Sequence, residues 1–308
     1  MKKYFYLAAA AIALVACNNE KLENGSVQEL KSISLTASIN SSVDATRACS
    51  TDALQNTAFV TDKTIFVEVY ETGEATTYTT GEYTTAAEGA LTGNLYYPSN
   101  NNHVDICAYY PSTISSASTE FTVSNDQSSE AAYQASDLMF ATKLTDKGSG
   151  ATHDLTFNHA LTKIVVNIEY AANMITTGLT TTPAITDVKL NSTVRTASLT
   201  ISEGAITASK KAEVDASDID IMGTGFDNTG IIVPQTVAAD IPFVTLTYNS
   251  ATYIYKLPSA TNFLAGKVYT YTLTLSARGL ELSAISINDW IGEDAEHNPL
   301  GGSENITI

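Results

Sequence analysis

Apolar residues alternate with polar ones along much of this chain, and the alternation limits what the chain can fold into. In residues 32–39, "SISLTASI", every second position is apolar. The stretches "TIFVEVY" at 64–70, "KVYTYTLTL" at 267–275 and "ELSAISI" at 281–287 repeat the pattern. A period of two indicates strands, because successive side chains of a strand point to opposite faces. The sequence also predicts strands at 104–109, 163–170, 184–190, 230–233, 242–248 and 251–257.

So many short strands predict an all-β fold made of β-sandwiches. Beyond the N-terminal apolar run, no segment has the 3.6-residue period of an amphipathic helix. Each sheet must bury one face against another sheet, which two packed sheets achieve. The number of strands is too high for one small sandwich. We therefore expect two β-sandwich domains, an N-terminal one over residues 48–160 and a C-terminal one over residues 161–308.

The N-terminus has the features of a secretory signal peptide. Lys2 and Lys3 precede a run of twelve apolar residues, 5–16, which is shorter than the roughly 20 residues that cross a membrane. The run ends in "LVAC", a sequence typical of bacterial lipoprotein signals. We therefore expect residues 1–16 to be removed and Cys17 to carry acyl chains. These chains would hold the exported protein to the outer membrane.

The net charge excludes nucleic acid as a partner. The formal net charge is −17, and loss of the two lysines in the signal peptide makes the mature chain still more negative. An acidic surface repels phosphate groups, which attract proteins of the opposite sign.

Two cysteines remain once Cys17 is lipidated. Cys49 and Cys107 form an even pair in an oxidising compartment, where disulfides persist. A disulfide between them and two separate thiols are both compatible with the sequence.

The search for catalytic and metal-binding residues predicts neither an enzyme nor a cofactor. The sequence has no nucleophile elbow and no phosphate-binding glycine loop. His153 and His159 share a face of one predicted strand, but no carboxylate accompanies them on that face in the sequence, so we interpret them as structural. The acidic stretch with Asp215, Asp218 and Asp220 lacks the glycine and the final glutamate of a calcium loop, which favours a solvated turn.

Arginine is rare in this chain, which contains only Arg47, Arg195 and Arg278. Arg47 lies in "SSVDATRA", residues 41–48, among small and polar residues just after a predicted strand. Such a context does not suggest packing. An extended segment with one free arginine is instead suited to cleavage by a protease.

Four stretches, taken in order, resemble the fimbrillins of Bacteroidales, the FimA- and Mfa-like lipoprotein pilins. The first is the lipoprotein signal at Cys17 followed by "ATRA" at 45–48. The others are "VDICAYYP" at 104–111, "LTFNHALTKIVVNI" at 155–168 and "FLAGKVYTYTLTLSARGLELSAISINDW" at 263–290. Each motif is weak alone, whereas the ordered set spans almost the whole chain.

The resemblance implies two transthyretin-like, Greek-key β-sandwich domains and no catalysis. It implies export as a lipoprotein, with residues 17–47 as a lipidated pro-segment that contains the first strand. It further implies that an arginine-specific protease cuts after Arg47, so that Ala48 becomes the new N-terminus. The mature protein would then assemble with other pilin subunits into a fimbrium at the cell surface.

Strand exchange is the mechanism that we expect for assembly. The first strand would bury four side chains in the N-terminal core, and its loss after the cut would open an apolar groove for a strand from a neighbouring subunit. The C-terminal region is the expected donor. The residues concerned are Ile33, Leu35, Ala37 and Ile39 in the first strand, and Ile306 and Ile308 in the donor. The alternative is a monomeric surface lipoprotein adhesin that is not cut and binds glycan or host protein through its loops.

Overall fold

The computed structural model describes residues 30–40, 54–172, 174, 184–223, 228–291 and 304–306 of the 308-residue chain. Most of these residues lie in strands, which confirms the all-β prediction. The described strands are β1 (Ser34–Ile39), β2 (Thr64–Glu71), β3 (Thr77–Thr85), β4 (Ala90–Thr92), β5 (Val104–Tyr110), β6 (Glu120–Thr122), β7 (Met139–Ala141), β8 (Leu144–Lys147), β9 (Thr152–His159), β10 (Thr162–Tyr170), β11 (Ile185–Thr193), β12 (Thr196–Ser202), β13 (Ala205–Lys210), β14 (Ser217–Asp220), β15 (Thr229–Ile232), β16 (Gln235–Val237), β17 (Pro242–Tyr248), β18 (Ala251–Lys256), β19 (Thr261–Phe263), β20 (Lys267–Ser276), β21 (Gly279–Asp289) and β22 (Glu304–Ile306).

The helix α1 (Glu130–Ser136) has no counterpart in the sequence prediction. It has seven residues, too few for the apolar period to repeat. Its start is defined by the hydroxyl of Ser129, which accepts a hydrogen bond from the backbone N–H of Ala132. A 3₁₀ turn, Ala87–Gly89, precedes β4. No helix among the described residues is long and apolar enough to cross a membrane.

The strands before residue 160, apart from β6, form one sheet whose pairings close into a circuit. Its order is β2-β3-β4-β1-β9-β7-β5, and β5 pairs in turn with β2, while β8 is attached to β5. Strand β1 runs parallel to β9 over six residues and antiparallel to β4. Because β1 is one link of this circuit, both of its edges are occupied.

The later strands form smaller sheets. Strand β10 runs parallel to β20 over nine residues, at the centre of the order β15-β10-β20-β21-β22. The other sheets are β14-β11-β17-β18, β13-β12-β6 and β16-β19. Strand β6 therefore pairs with β12 although it precedes residue 160 in sequence.

The buried side chains form two clusters. The first core lies inside the circuit and contains residues of β1, β2, β5, β7 and β9. The second core contains the apolar faces of the later sheets together with Leu54 and residues of β5 and α1. Strand β5 is buried along its whole length, because Val104, Ile106 and Ala108 face the first core while Cys107 and Tyr109 face the second.

Candidate functional site

The candidate site is the position of β1 in the circuit of strands. Four alternating side chains of this segment lie in the first core and are 1–6% exposed: Ile33, Leu35, Ala37 and Ile39. Full burial of an aliphatic side chain is worth about 1.5 to 3 kcal/mol, so the three large ones together contribute on the order of 5 to 9 kcal/mol. Removing β1 would expose the apolar surface that these side chains cover.

The backbone of this segment is held along both edges. On one edge the N–H of Ile33 donates to the carbonyl of Leu95 at 2.8 Å, and the N–H of Tyr97 donates to the carbonyl of Lys31 at 2.9 Å. On the other edge the six-residue parallel ladder to β9 ends where the N–H of Asn40 donates to the carbonyl of Phe157. Loss of the strand would leave these donors and acceptors without their partners, a costly state for a sheet.

Side chains fix the register of β1. The hydroxyl of Tyr83 donates to the carbonyl of Ile33 at 2.8 Å, and burial raises the pKa of this tyrosine. On the outer face, the hydroxyls of Thr36 and Ser38 donate to the two carboxylate oxygens of Asp154, at 2.8 and 3.4 Å. These polar contacts align each apolar side chain of β1 with its place in the core.

A close backbone approach constrains the turn beside β1. A Cβ on Gly89 would lie 2.5 Å from the carbonyl oxygen of Ala37, and the φ of Gly89 is +72°. Both observations require glycine at this position.

The segment after the proposed cut is anchored from residue 54 onwards. Leu54, Gln55, Asn56 and Phe59 are all at most 5% exposed. Residues 41–53, which contain Arg47, Ala48 and Cys49, lie outside the described residues. The cleavage prediction therefore concerns a position between two firmly packed segments, β1 and residues 54–59.

The predicted donor segment pairs with its own chain. Strand β22 lies antiparallel to β21, with Ile306 opposite Ile285. This pairing covers the edge of the sheet that β21 would otherwise leave open. Ile308 and Cys17 lie outside the described residues.

Cys107 lies on β5 and is 3% exposed. Burial raises the pKa of its thiol to about 11. Because Cys49 is outside the described residues, the disulfide between them stays a prediction.

His153 and His159, which were predicted to share a face of one strand, each contact a different residue. His153 contacts the hydroxyl of Tyr97 at 2.8 Å. His159 pairs through Nδ1 with Asp137 at 2.8 Å. This carboxylate follows α1 and not the strand of the histidines, so the search along that strand did not find it. Among the described residues no group of three or more His, Cys, Asp or Glu side chains could hold a metal ion.

The acidic stretch predicted to be a solvated turn is partly a strand, because Asp218 and Asp220 lie in β14. Asp220 forms an ion pair with Lys189 at 2.8 Å, beside an open cavity of about 850 Å³ that Asp126 also lines. The pKa of Asp126 is lowered by hydrogen bonds from Ser128, which satisfy its carboxylate locally.

Sequence reasoning missed a buried polar cluster next to the site. Asn56, Asp137 and Lys163 are each at most 2% exposed, and Lys163 Nζ donates to Asn56 Oδ1 at 2.8 Å. One signal in the sequence is Lys163 itself, because a lysine within an apolar strand is seldom fully buried unless it is paired.

Comparison with known proteins gave a family and a fold. The sequence model of a family described as fimbrillin-like matches residues 46–290. A structure from Bacteroides uniformis ATCC 8492, assigned to cell adhesion, is similar with a TM-score of 0.64 at 23% identity, covering 85% of this chain and 99% of its own. Another from Bacteroides ovatus ATCC 8483 has a TM-score of 0.63 at 21% identity, covering 86% and 100%. A comparison with curated proteins found no match.

Proposed function

Because the chain belongs to the fimbrillin-like family, we propose that it is a structural pilin subunit that is matured by proteolysis and assembles by strand exchange. Membership of this family supports a fimbrial or adhesion protein of the cell surface. The finer steps below are proposals for this chain. They comprise acylation at Cys17, cleavage after Arg47 and exchange of β1 for a strand of another subunit.

The observation that carries the proposal is the position of β1. The strand is a full member of the sheet circuit, yet its connection to the rest of the chain passes through residues 41–53. A single cut after Arg47 would therefore separate a core strand from everything that follows it. The anchored residues 54–59 would keep the mature N-terminal region in place when β1 leaves.

The vacated position would bind a strand from another subunit. A replacement strand could restore the ladder to β9 and fill the space of Ile33, Leu35, Ala37 and Ile39 with its own alternating side chains. The C-terminal region with Ile306 and Ile308 is our proposed donor, and it would have to leave β21 first. Donor and groove lie on different elements, so the contact is head-to-tail and gives filaments.

The substitution Arg47→Ala tests the mechanism. We expect the variant to stay a folded, lipidated monomer, because β1 remains in its groove. Wild-type protein should start at Ala48 and run as SDS-resistant ladders. Arg278→Ala is the matched control, since Arg278 is an exposed arginine in the turn between β20 and β21; it should assemble like wild type.

Polymers that form normally from Arg47→Ala protein would contradict the proposal. Wild-type surface protein that is intact and acylated would favour the monomeric adhesin instead. Deleting residues 303–308 tests strand donation separately from strand acceptance. Such a subunit should fail to donate but should still accept a strand from wild-type subunits.

A further inference from the structure

A buried lysine and a buried asparagine lie side by side outside the β1 groove. Lys163 is the second residue of β10 and is 0% exposed, and Asn56 is 2% exposed. Lys163 Nζ donates to Asn56 Oδ1 at 2.8 Å. Because a carbonyl bond is about 1.2 Å long, the amide carbon of Asn56 lies no farther than about 4 Å from this nitrogen. A primary amine is therefore held against a carboxamide in a site closed to water.

A buried carboxylate and an imidazole are linked to Gln55, the residue next to Asn56. Asp137 is 0% exposed; its Oδ1 pairs with His159 Nδ1 at 2.8 Å and its Oδ2 accepts from Gln55 Nε2 at 3.5 Å. Gln55 directly precedes Asn56 in the chain, so the carboxylate is tied to the segment that presents the amide. Trp290 stacks on His159 with ring centroids 3.8 Å apart and planes 3° from parallel, which helps to close the cluster.

We propose that Lys163 and Asn56 form an intramolecular isopeptide bond. The neutral amine of Lys163 attacks the side-chain carbonyl carbon of Asn56 and gives a tetrahedral intermediate. The bond from this carbon to Nδ2 then breaks, and ammonia leaves as the carbonyl re-forms. The reaction joins an amine and a primary amide into a secondary amide and releases one ammonia, so it needs no oxidant, cofactor or energy source.

Asp137 is the proton carrier in this proposal. Its carboxylate takes a proton from the Lys163 ammonium, which frees the amine. A proton from the attacking nitrogen passes to the departing Nδ2, and the proton held on Asp137 is taken up by the ammonia, which leaves as ammonium. His159 positions the carboxylate through its hydrogen bond. Fixing reactants in this way makes the step intramolecular, which is a large source of rate enhancement.

The bond would join two parts of the chain that are far apart in sequence. Asn56 lies in the anchored segment just after the proposed cut, whereas Lys163 lies 107 residues later, at the start of β10 in the β15-β10-β20-β21-β22 sheet. The proposal does not depend on strand exchange, since every group in it belongs to one subunit.

Mass spectrometry of the full exported chain tests the bond. We expect its mass to be lower by one ammonia than the mass calculated for the processed chain, with its N-terminus and any acyl chains determined separately. Trypsin should fail to cut after Lys163, and the peptide that carries Asn56 should be recovered joined to the peptide that carries Lys163. An asparagine that cyclises to a succinimide also loses ammonia, so the joined peptide is the deciding result. A wild-type mass equal to that calculated for the processed chain, or ammonia loss without that joined peptide, would overturn the proposal.

Variants test the roles of the three groups. Lys163→Arg and Asn56→Ala should both lack the loss of ammonia. Lys189 is a half-exposed lysine in an ion pair, and Lys189→Arg should form the bond as wild type does. Asp137→Asn retains both reactants and should be folded by circular dichroism but largely unbonded. If Asp137→Asn forms the bond to the same extent as wild type, Asp137 is not the proton carrier. The wild-type measurement decides the bond even if a variant fails to fold.

Discussion

Asp105 shows how a buried charge is accommodated in a strand that is covered on both faces. Its Oδ1 accepts from the hydroxyl of Thr72 at 3.1 Å and from the N–H of Asp146 at 3.0 Å, and its Oδ2 pairs with Lys143 at 3.1 Å. Burial acts to raise the pKa of this carboxyl, but the hydrogen bonds from Asp146 and Lys143 outweigh burial and lower the pKa below 3.8.

The sign of the resulting pH dependence follows from that lowered pKa. The stability that ionised Asp105 contributes is complete above its unfolded pKa of 3.8 and is lost as the pH falls through the folded value. We expect Asp105→Asn to lower the free energy of unfolding by about 1 to 3 kcal/mol at neutral pH. Below about pH 4, the free energy of unfolding of this variant should fall less than that of wild type.

Urea unfolding at several pH values measures both effects. Asp146→Asn is the control, because its side chain is 71% exposed and pairs only with a half-exposed histidine, His103. The control should change the free energy of unfolding by less than about 0.5 kcal/mol. If the free energy of unfolding of Asp105→Asn falls with decreasing pH as steeply as that of wild type, Asp105 is not the cause of the acid-induced loss of stability.

At the scale of elements, β1 should contribute stability only while it is attached to the chain. In the uncut Arg47→Ala precursor, Leu35→Ala should lower the free energy of unfolding by about 2 to 5 kcal/mol, because it creates a cavity in the first core. Ser34→Ala, on the exposed side of the same strand, should change it by less than about 0.5 kcal/mol. Chemical denaturation measures both, and equal effects would contradict the core position of Leu35.

The alternation of residues predicts strands well where one face meets a core and the other does not. Strand β20 illustrates this, since Tyr271, Leu273 and Leu275 are buried while the threonines between them are half-buried. Strand β5 departs from the pattern because both of its faces are covered, so polar Asp105 is buried with its neighbours. Pairings such as β1 with β9 link residues more than 110 positions apart, and local periodicity does not contain that information.

The candidate site likewise has one part that local periodicity predicts and another part that it does not. Periodicity alone places Ile33, Leu35, Ala37 and Ile39 on one face of a strand. It does not reveal that Lys163 bonds to Asn56 or that Asp137 bonds to the neighbouring Gln55, because separate segments supply these residues. Such contacts depend on the whole topology.

At the scale of the whole molecule, we expect Cys17 to be the attachment to the membrane. Cys17→Ser should abolish acylation and release or mislocalise the protein. Fractionation with fatty-acid labelling measures this outcome, and Cys107→Ser is the control that should still be acylated. A Cys17→Ser protein that still labels and fractionates with the outer membrane would exclude the lipoprotein prediction.

The contact between Asn56 and Lys163 also has a mechanical consequence. A subunit pulled from its N-terminal region towards its C-terminus would pass the load from Asn56 directly to Lys163, which lies 107 residues further along. A segment of that length is on the order of 350 Å long when fully stretched. If the two side chains are covalently joined, the residues between them cannot extend under the applied force. Strands β2 to β9, which surround the position of β1, would then stay folded under tension.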